Sequence, residues 1–450
     1  MIKRYTRPAM GMLWEDLKKF QLWLDVELAW LKARTHFGEL TNEAYEAIKT
    51  NAKVNMERLE RYEDEKQHDL IAFVCDIMDS LEEAGVGQYK GEFHKELTSY
   101  DTEDPAFILR LRKAVAIVLD GLKQLKLSLW KKALEHKWTI MLAETHGQDA
   151  EPTTLGALLV VFVEAIDRSI ERLNQLLKTE LKYGKISGAV GVYGSIKPEF
   201  EAKALGYLGL WPAAAETQIL QRDRIAAVAS TLQVVAGSME QIARVFWEMM
   251  RSRNNEIQEP KKKTQRGSSA MPWKRNPIIT ERIMGMARVV RGYALSANEC
   301  IATPGHRAIE QSCVERIVIP DAFILVDYMC SILTKVVDGL VVFTDNMRHN
   351  LEVESRGVWT GQFVRNALID AGIEYNVAYE YVKDLSFYAL DNKVHILGLY
   401  KERSLSDSDT RTAFDVLGED KLKLFFDPMT HIENGVEHIF KVQEEKWKIA

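Results

Sequence analysis

The residues with the richest chemistry stand in two short polar segments. The first, Glu144-Thr-His-Gly-Gln-Asp-Ala-Glu-Pro-Thr-Thr154, places His146 in a polar turn beside Thr145 and Gly147, ahead of a helix-capping Thr154. A histidine so placed can exchange a proton near neutral pH as general acid or base; a lone surface histidine is the plainer alternative. The second, Gly267-Ser-Ser-Ala-Met-Pro-Trp-Lys-Arg-Asn-Pro-Ile-Ile-Thr-Glu281, joins a glycine-hinged loop to a helix predicted to start near Pro277. Backbone N–H groups at that helix start, with Lys274 and Asn276, can converge on an anion, although composition alone favours a solvated basic linker. Two pairs complete the set. His68-Asp69 opens an apolar helix and Thr98-Ser99 precedes another, each as a substrate contact or as ordinary helix-start chemistry.

Several reaction classes are excluded by what the chain does not contain. There is no GxxxxGK[ST], GxSxG, HExxH or GxGxxG, and Gly188, Gly191 and Gly194 have the wrong spacing for a dinucleotide turn. Catalysis by ordinary side chains remains. The 59 basic and 65 acidic residues leave a net charge of −6 with the signs interspersed, so no field favours nucleic acid or an anionic membrane. Lys261, Lys262, Lys263 and Arg266 form one short basic run, the only support for a nucleic-acid-binding scaffold. The four cysteines lack a CxxC pair, which suits a reducing compartment and argues against structural zinc. No apolar export segment follows the first ten residues, so a cytoplasmic protein is expected.

These segments need rigid elements to hold them. Apolar residues recur every three or four positions, as in Ile108, Leu111, Val115, Val118, Leu122, Leu125 and Leu129, which predicts helices. Long ones are expected over 107–138, 154–181, 218–250, 277–299 and 320–342. The run from Ile225 to Ala236 is apolar nearly all round, which places it in the centre of a bundle and points to subunit association. It is too short to span a bilayer, as is 155–163. The expected architecture is all-α: an N-terminal helical domain (1–111), a central long-helix bundle (112–363) and a C-terminal helical domain (364–450).

The run from Gly267 to Glu281 resembles the signature of the fumarase/aspartase superfamily. Further blocks are similar to its adenylosuccinate-cleaving branch, in bacterial form: Met1-Ile-Lys-Arg-Tyr-Thr-Arg-Pro8, His68-Asp69, Leu97-Thr-Ser99, Thr145-His-Gly147, Ala150-Glu-Pro-Thr-Thr154, Gly184-Lys-Ile-Ser-Gly-Ala-Val-Gly191, Thr217-Gln218, Leu220-Gln-Arg-Asp-Arg224 and Glu315-Arg316. The resemblance implies anti elimination of fumarate from a succinyl-bearing purine nucleotide, without metal or organic cofactor. It also implies a homotetramer whose long helices form a common core and whose active sites are shared between subunits. By the same resemblance Ser269 is the general base, His146 the general acid and Glu281 its charge partner. Lys274 and Asn276 would stabilise the carbanion. Arg4, Tyr5, His68, Asp69, Thr98, Ser99, Thr145, Gln218, Ser268, Arg275, Arg307, Ser312 and Arg316 match substrate-contacting positions. The chain departs from the pattern at Gln67 and Glu144, where cations are usual, and at Asp149, which replaces a histidine. Lys95-Glu96, Trp273, Ala308 and Gln311 depart as well. Lost positive charge keeps open an alternative substrate, another N-succinyl or amino-dicarboxylate compound.

Overall fold

In the computed structural model, residues 1–261, 264 and 270–449 are described, and they form an all-α protein. Among them, strands are confined to three two-stranded pairs. The chain builds two compact units, each from three sequence segments. Met1–Gln124, Asp167–Glu240 and Ile283–Ile332 make the first; Leu125–Ile166, Gln241–Arg282 and the chain from Leu333 make the second. The boundaries expected near residues 111 and 363 fall inside the helices Ser99–Glu135 and Gly361–Asp370.

The expected long helices are present, with revealing differences at their starts. The helix Ser99–Glu135 begins eight residues earlier than its apolar pattern and contains Pro105. Its first turn is organised by polar burial: Asp101, Thr102 and Asp104 are all buried, and the Asp101 carboxylate accepts from the backbone N–H of Thr98 at 3.0 Å. That bond is one half of a capping box. The helix Glu310–Asp338 runs straight through Pro320, where the sequence suggested a start. An interior proline costs roughly 3 kcal/mol, whereas each fully buried aliphatic or aromatic side chain returns about 1.5–3 kcal/mol. Ile319, Phe323, Val326, Met329 and Leu333 are all fully or nearly fully buried, and they decide the balance. By length and composition this helix could cross a membrane, but 67% of its most apolar window is buried, as in the core helix of a soluble protein.

In the first unit, Phe20 and Trp23 on the helix Asp16–His36 meet Phe73 of the helix Asp69–Glu83, with the two rings 6.0 and 5.6 Å from Phe73. The interior-facing residues Ile108, Leu111, Val115, Val118 and Leu122 are completely buried, as their spacing requires. The second unit has a C-terminal core around Val364, Leu368, Ala378, Ile396, Tyr400 and Leu422. Its last helix, Met429–Ile449, is held by Trp130, whose ring lies 5.6 Å from Phe440 and 5.9 Å from Trp447.

Candidate active site

In the second unit the polar turn around His146 is a β-hairpin, which the helical periodicity gave no reason to expect. Strand β1 (Ile140–Thr145) pairs antiparallel with β2 (Gln148–Thr154), and Thr145 faces Gln148 across a two-residue turn. His146 and Gly147 both have positive φ, 57° and 69°. That combination is the signature of a type I′ turn, which matches the natural strand twist and is uncommon for residues other than glycine, asparagine and aspartate. The imidazole is thereby presented at an exposed tip. At the base of the hairpin the Thr154 hydroxyl accepts from Ala157 N at 3.0 Å and starts the helix Leu155–Lys178.

The flanks of this hairpin are acidic. Glu144 lies directly opposite Asp149. Both line a cavity of about 460 Å³ with Glu256, whose carboxylate accepts from Asn350 at 3.0 Å. Burial pushes the Glu256 carboxyl up; the Asn350 bond opposes this, and Glu144 and Asp149 add to the rise. Burial also raises Asp149.

The loop before the helix Ile278–Glu299 differs from expectation in one chemical respect. The N–H groups of Ile279 and Thr280 were candidates for binding a substrate anion, but both donate to the buried carboxylate of Glu259, at 3.1 and 2.7 Å. A side chain of the same subunit already satisfies this helix end, so these two donors are not available to a ligand. Lys274 remains exposed, and Arg275 donates to Gln258 at 2.8 Å. Glu281 accepts from the Trp247 indole at 3.3 Å. Among the described residues no ion pair joins it to His146. Ser268 and Ser269 lie outside the described residues.

The first unit gathers most of the remaining candidates. Arg307 donates to the Gln218 side chain at 3.0 Å and lies over the Tyr100 ring, 4.4 Å from its centroid. Asp69, the first residue of its helix, accepts from Lys19 at 2.9 Å and pairs with Arg316 at 2.8 Å. Burial works to raise the Asp69 carboxyl, yet the two cations prevail and hold it below its ordinary range. His68 stands half-exposed at the N-cap, 3.9 Å from Asp69. At the N-terminus a single 3₁₀ turn holds Arg4 and Tyr5; Tyr5 lies 5.5 Å from the Tyr328 ring, and Arg7 pairs with buried Asp327.

Two buried ion pairs hold these loops in register, and neither was foreseen. Asp101 Oδ1 accepts from Lys185 Nζ at 2.7 Å and from the N–H groups of Ser187 and Gly188 at 3.1 and 3.2 Å. Lys185 Nζ also donates to the Gln218 carbonyl at 2.9 Å. One pair therefore ties Thr98-Ser99, the glycine-rich loop and Gln218 together. Asp104 accepts from Arg222 at 3.0 Å and from Leu220 N at 2.7 Å. Gly191, with φ at +77°, passes so close to the Glu216 carbonyl that a Cβ would sit 1.9 Å from it. Only glycine fits there.

Residues 3–292 match the family described as Lyase. The chain is 36% identical to adenylosuccinate lyase of Staphylococcus saprophyticus over 98% of its own length and 99% of that protein. It is 37% identical to adenylosuccinate lyase of Aquifex aeolicus over 96% of this chain and 97% of that one. The chain belongs to this lyase family. In fold the lyase is similar to a fumarate lyase from Mesorhizobium sp. BNC1 (TM-score 0.87, 23% identity, 98% of this chain and 99% of that chain). It is equally similar to a 3-carboxy-cis,cis-muconate lactonizing enzyme from Pseudomonas putida (TM-score 0.88, 24% identity, 99% and 98% covered). The lyase is a C–N lyase of the fumarate-eliminating superfamily.

Within the lyase, His68, Asp69, Thr98, Ser99, Gln218, Arg307, Ser312 and Arg316 belong to the first unit together with Arg4 and Tyr5. Thr145, His146, Lys274, Arg275, Asn276 and Glu281 belong to the second. The residues that sequence reasoning missed, Lys19, Asp101, Asp104, Lys185 and Arg222, act through other residues. The distant partners of the two aspartates leave no trace in local spacing.

Proposed function

We propose that the lyase cleaves adenylosuccinate to AMP and fumarate, and the corresponding succinyl-carboxamide ribotide of purine synthesis, by general acid/base anti elimination. The observation that carries this reading is similarity over nearly the full length of two adenylosuccinate lyases, with the His146 and Ser269 motifs both present. The hard step is removing a proton from carbon beside a carboxylate, because the carbanion's charge spreads onto oxygens already charged. Groups that bind that dianion more strongly than the substrate lower the barrier. Lys274 and Asn276 serve this purpose, while Ser269, ionised to its alkoxide, takes the proton. Ser268 and Arg275 flank them as substrate contacts. His146 protonates the departing nitrogen, and Glu281 supports the imidazolium in the assembled site.

Arg4, Arg307 and Arg316 receive phosphate and carboxylate groups, for which planar guanidinium donors are suited. Gln218, Ser312, Thr98, Ser99, Thr145, Tyr5, His68 and Asp69 complete the contacts. The enzyme acts as a homotetramer with shared sites. Apolar side chains left exposed on its long helices support association: Val161 (59%), Leu295 (63%) and Ile317 (61%). Four free cysteines suit the cytoplasm. Purified protein should release fumarate from adenylosuccinate, identified as product independently of the absorbance change. A folded protein with no turnover would favour a second reading, in which another N-succinyl or amino-dicarboxylate compound is the substrate. The carboxylates flanking His146 on its hairpin are the observation behind that alternative.

A further inference from the structure

A cavity of about 210 Å³ in the first unit is lined by aromatic side chains, among them Trp14, Trp23 and Phe107, and by polar ones that include Glu103, Ser312 and Arg316. Glu103 has no role in the reaction described above. Its carboxylate lies 3.6 Å from the Arg316 guanidinium, which is paired on the same side with Asp69 at 2.8 Å. Two carboxylates therefore compete for one guanidinium. We propose that Glu103 is a counter-ion of Arg316 and must take up a proton for Arg316 to accept a substrate anion. The proposal rests on the reading of Arg316 as a substrate contact.

The charge balance explains the coupling. Lys19, Asp69, Arg316 and Glu103 sum to zero when Glu103 is ionised and to +1 when it is neutral. An incoming phosphate or carboxylate would meet the Glu103 carboxylate at close range in a poorly solvated pocket, where like charges repel strongly. Protonating Glu103 removes that repulsion and leaves Arg316 with Asp69 and the ligand as its partners. Burial, reinforced by Asp69, pushes Glu103 up to about 7, against the pull of Arg316 and Lys19 and with a further push from Asp104. The proton is thus exchanged within the working range. The groups acting on Glu103 are Lys19, Asp69 and Arg316, with Asp104 beside it on its own helix, and Asp16 and Arg110 line the same cavity. His68 adjoins Asp69, and Glu315 lines the same cavity.

Inorganic sulfate tests this, because its charge does not change between pH 6 and 8. Its binding to the whole assembled protein should weaken about tenfold from pH 6 to pH 8, as one linked proton lost midway through that range requires. Calorimetry at pH 8 in buffers of different ionisation enthalpy should show uptake approaching one proton per site. Glu103→Gln should bind sulfate within about twofold of the same strength at both pH values and take up no proton. Arg316→Gln should lose the binding. If wild type shows no pH dependence, or Glu103→Gln keeps it because His68 or Glu315 is the linked group, the counter-ion role is overturned and the proposed reaction stands. If Arg316→Gln binds sulfate as wild type does, Arg316 as a substrate contact falls together with the proposal. Infrared difference spectra of the wild-type protein at pH 8 give a second reading independent of the variant's folding. Sulfate should bring up a protonated-carboxyl band, and its absence would overturn the coupling.

Discussion

His146 carries its imidazole on a backbone conformation that few side chains tolerate, and the type I′ turn holds it there. The position of the imidazole is therefore fixed by the strands on either side and does not depend on packing around the ring. Replacing it with Gln or Asn should lower kcat by about 10²–10⁴ with unchanged helix content by circular dichroism. Asn, which tolerates the left-handed region, should also leave the melting temperature unchanged. Glu315 shows a different use of burial. Its carboxyl is pushed up to about 7 by burial, with Arg222 pulling it down and Asp104 pushing it up. A group whose folded pKa exceeds its unfolded value binds its proton more tightly when folded, so its contribution to stability is present at low pH and is lost as pH rises from about 4.5 to 7. At 1.36 kcal/mol per pH unit that loss is about 3 kcal/mol. Glu315→Gln should flatten the fall in stability between pH 5 and 7, measured by denaturant melts at each pH.

The elements that position the site are held by buried charge as much as by apolar packing. Lys185 and Asp101 are 1% and 0% exposed, and removing one partner strands the other in the interior. Lys185→Met should cost about 3–5 kcal/mol in stability. It should raise KM more than it lowers kcat, because the loops it joins carry Thr98, Ser99 and Gln218. Helix content and the face of each helix were legible in the sequence, since period and burial coincide at residues such as Leu111, Val118 and Leu122. The helix starts at Thr154 and Pro277 were legible too, but two others were not. At Ser99 and Glu310 they were set by polar burial and by apolar contacts that outweigh Pro105 and Pro320, which are properties of the tertiary structure. The β-hairpin was hidden because its two strands are short, polar at the tip and enclosed by long helical runs. The His146 and Gly267–Glu281 segments were legible because polar side chains, glycine and proline interrupt those runs. Glu259, which closes the helix end after Pro277, was not legible, because its partners Ile279 and Thr280 offer only backbone. Glu259→Ala should cost about 0.5–2 kcal/mol by leaving those N–H groups unpaired, seen as a lower denaturation midpoint.

At the scale of the molecule, the proposed tetramer would cover the apolar side chains exposed on the long helices. Sedimentation should give a mass about four times that of the 51.4 kDa chain. Mixing inactive His146→Gln with inactive Ser269→Ala protein should restore activity after subunit exchange if one site draws these residues from different chains. No recovery after verified exchange would exclude shared sites of that kind. Both compact units are built from three separated stretches of sequence, and this governs the order in which the protein can be made. The first unit lacks its last segment until residue 332 has been synthesised, and the second until the chain is nearly complete. At about 5–20 residues per second, the first unit waits roughly 20–60 s on the ribosome before its core can close. Until then the first unit's apolar core, to which Ile108 and Val228 belong, lacks the segment Ile283–Ile332. Slowing translation should lengthen the time for which the nascent polypeptide is open to capture by holdase chaperones, read as the yield of chaperone-bound nascent chains.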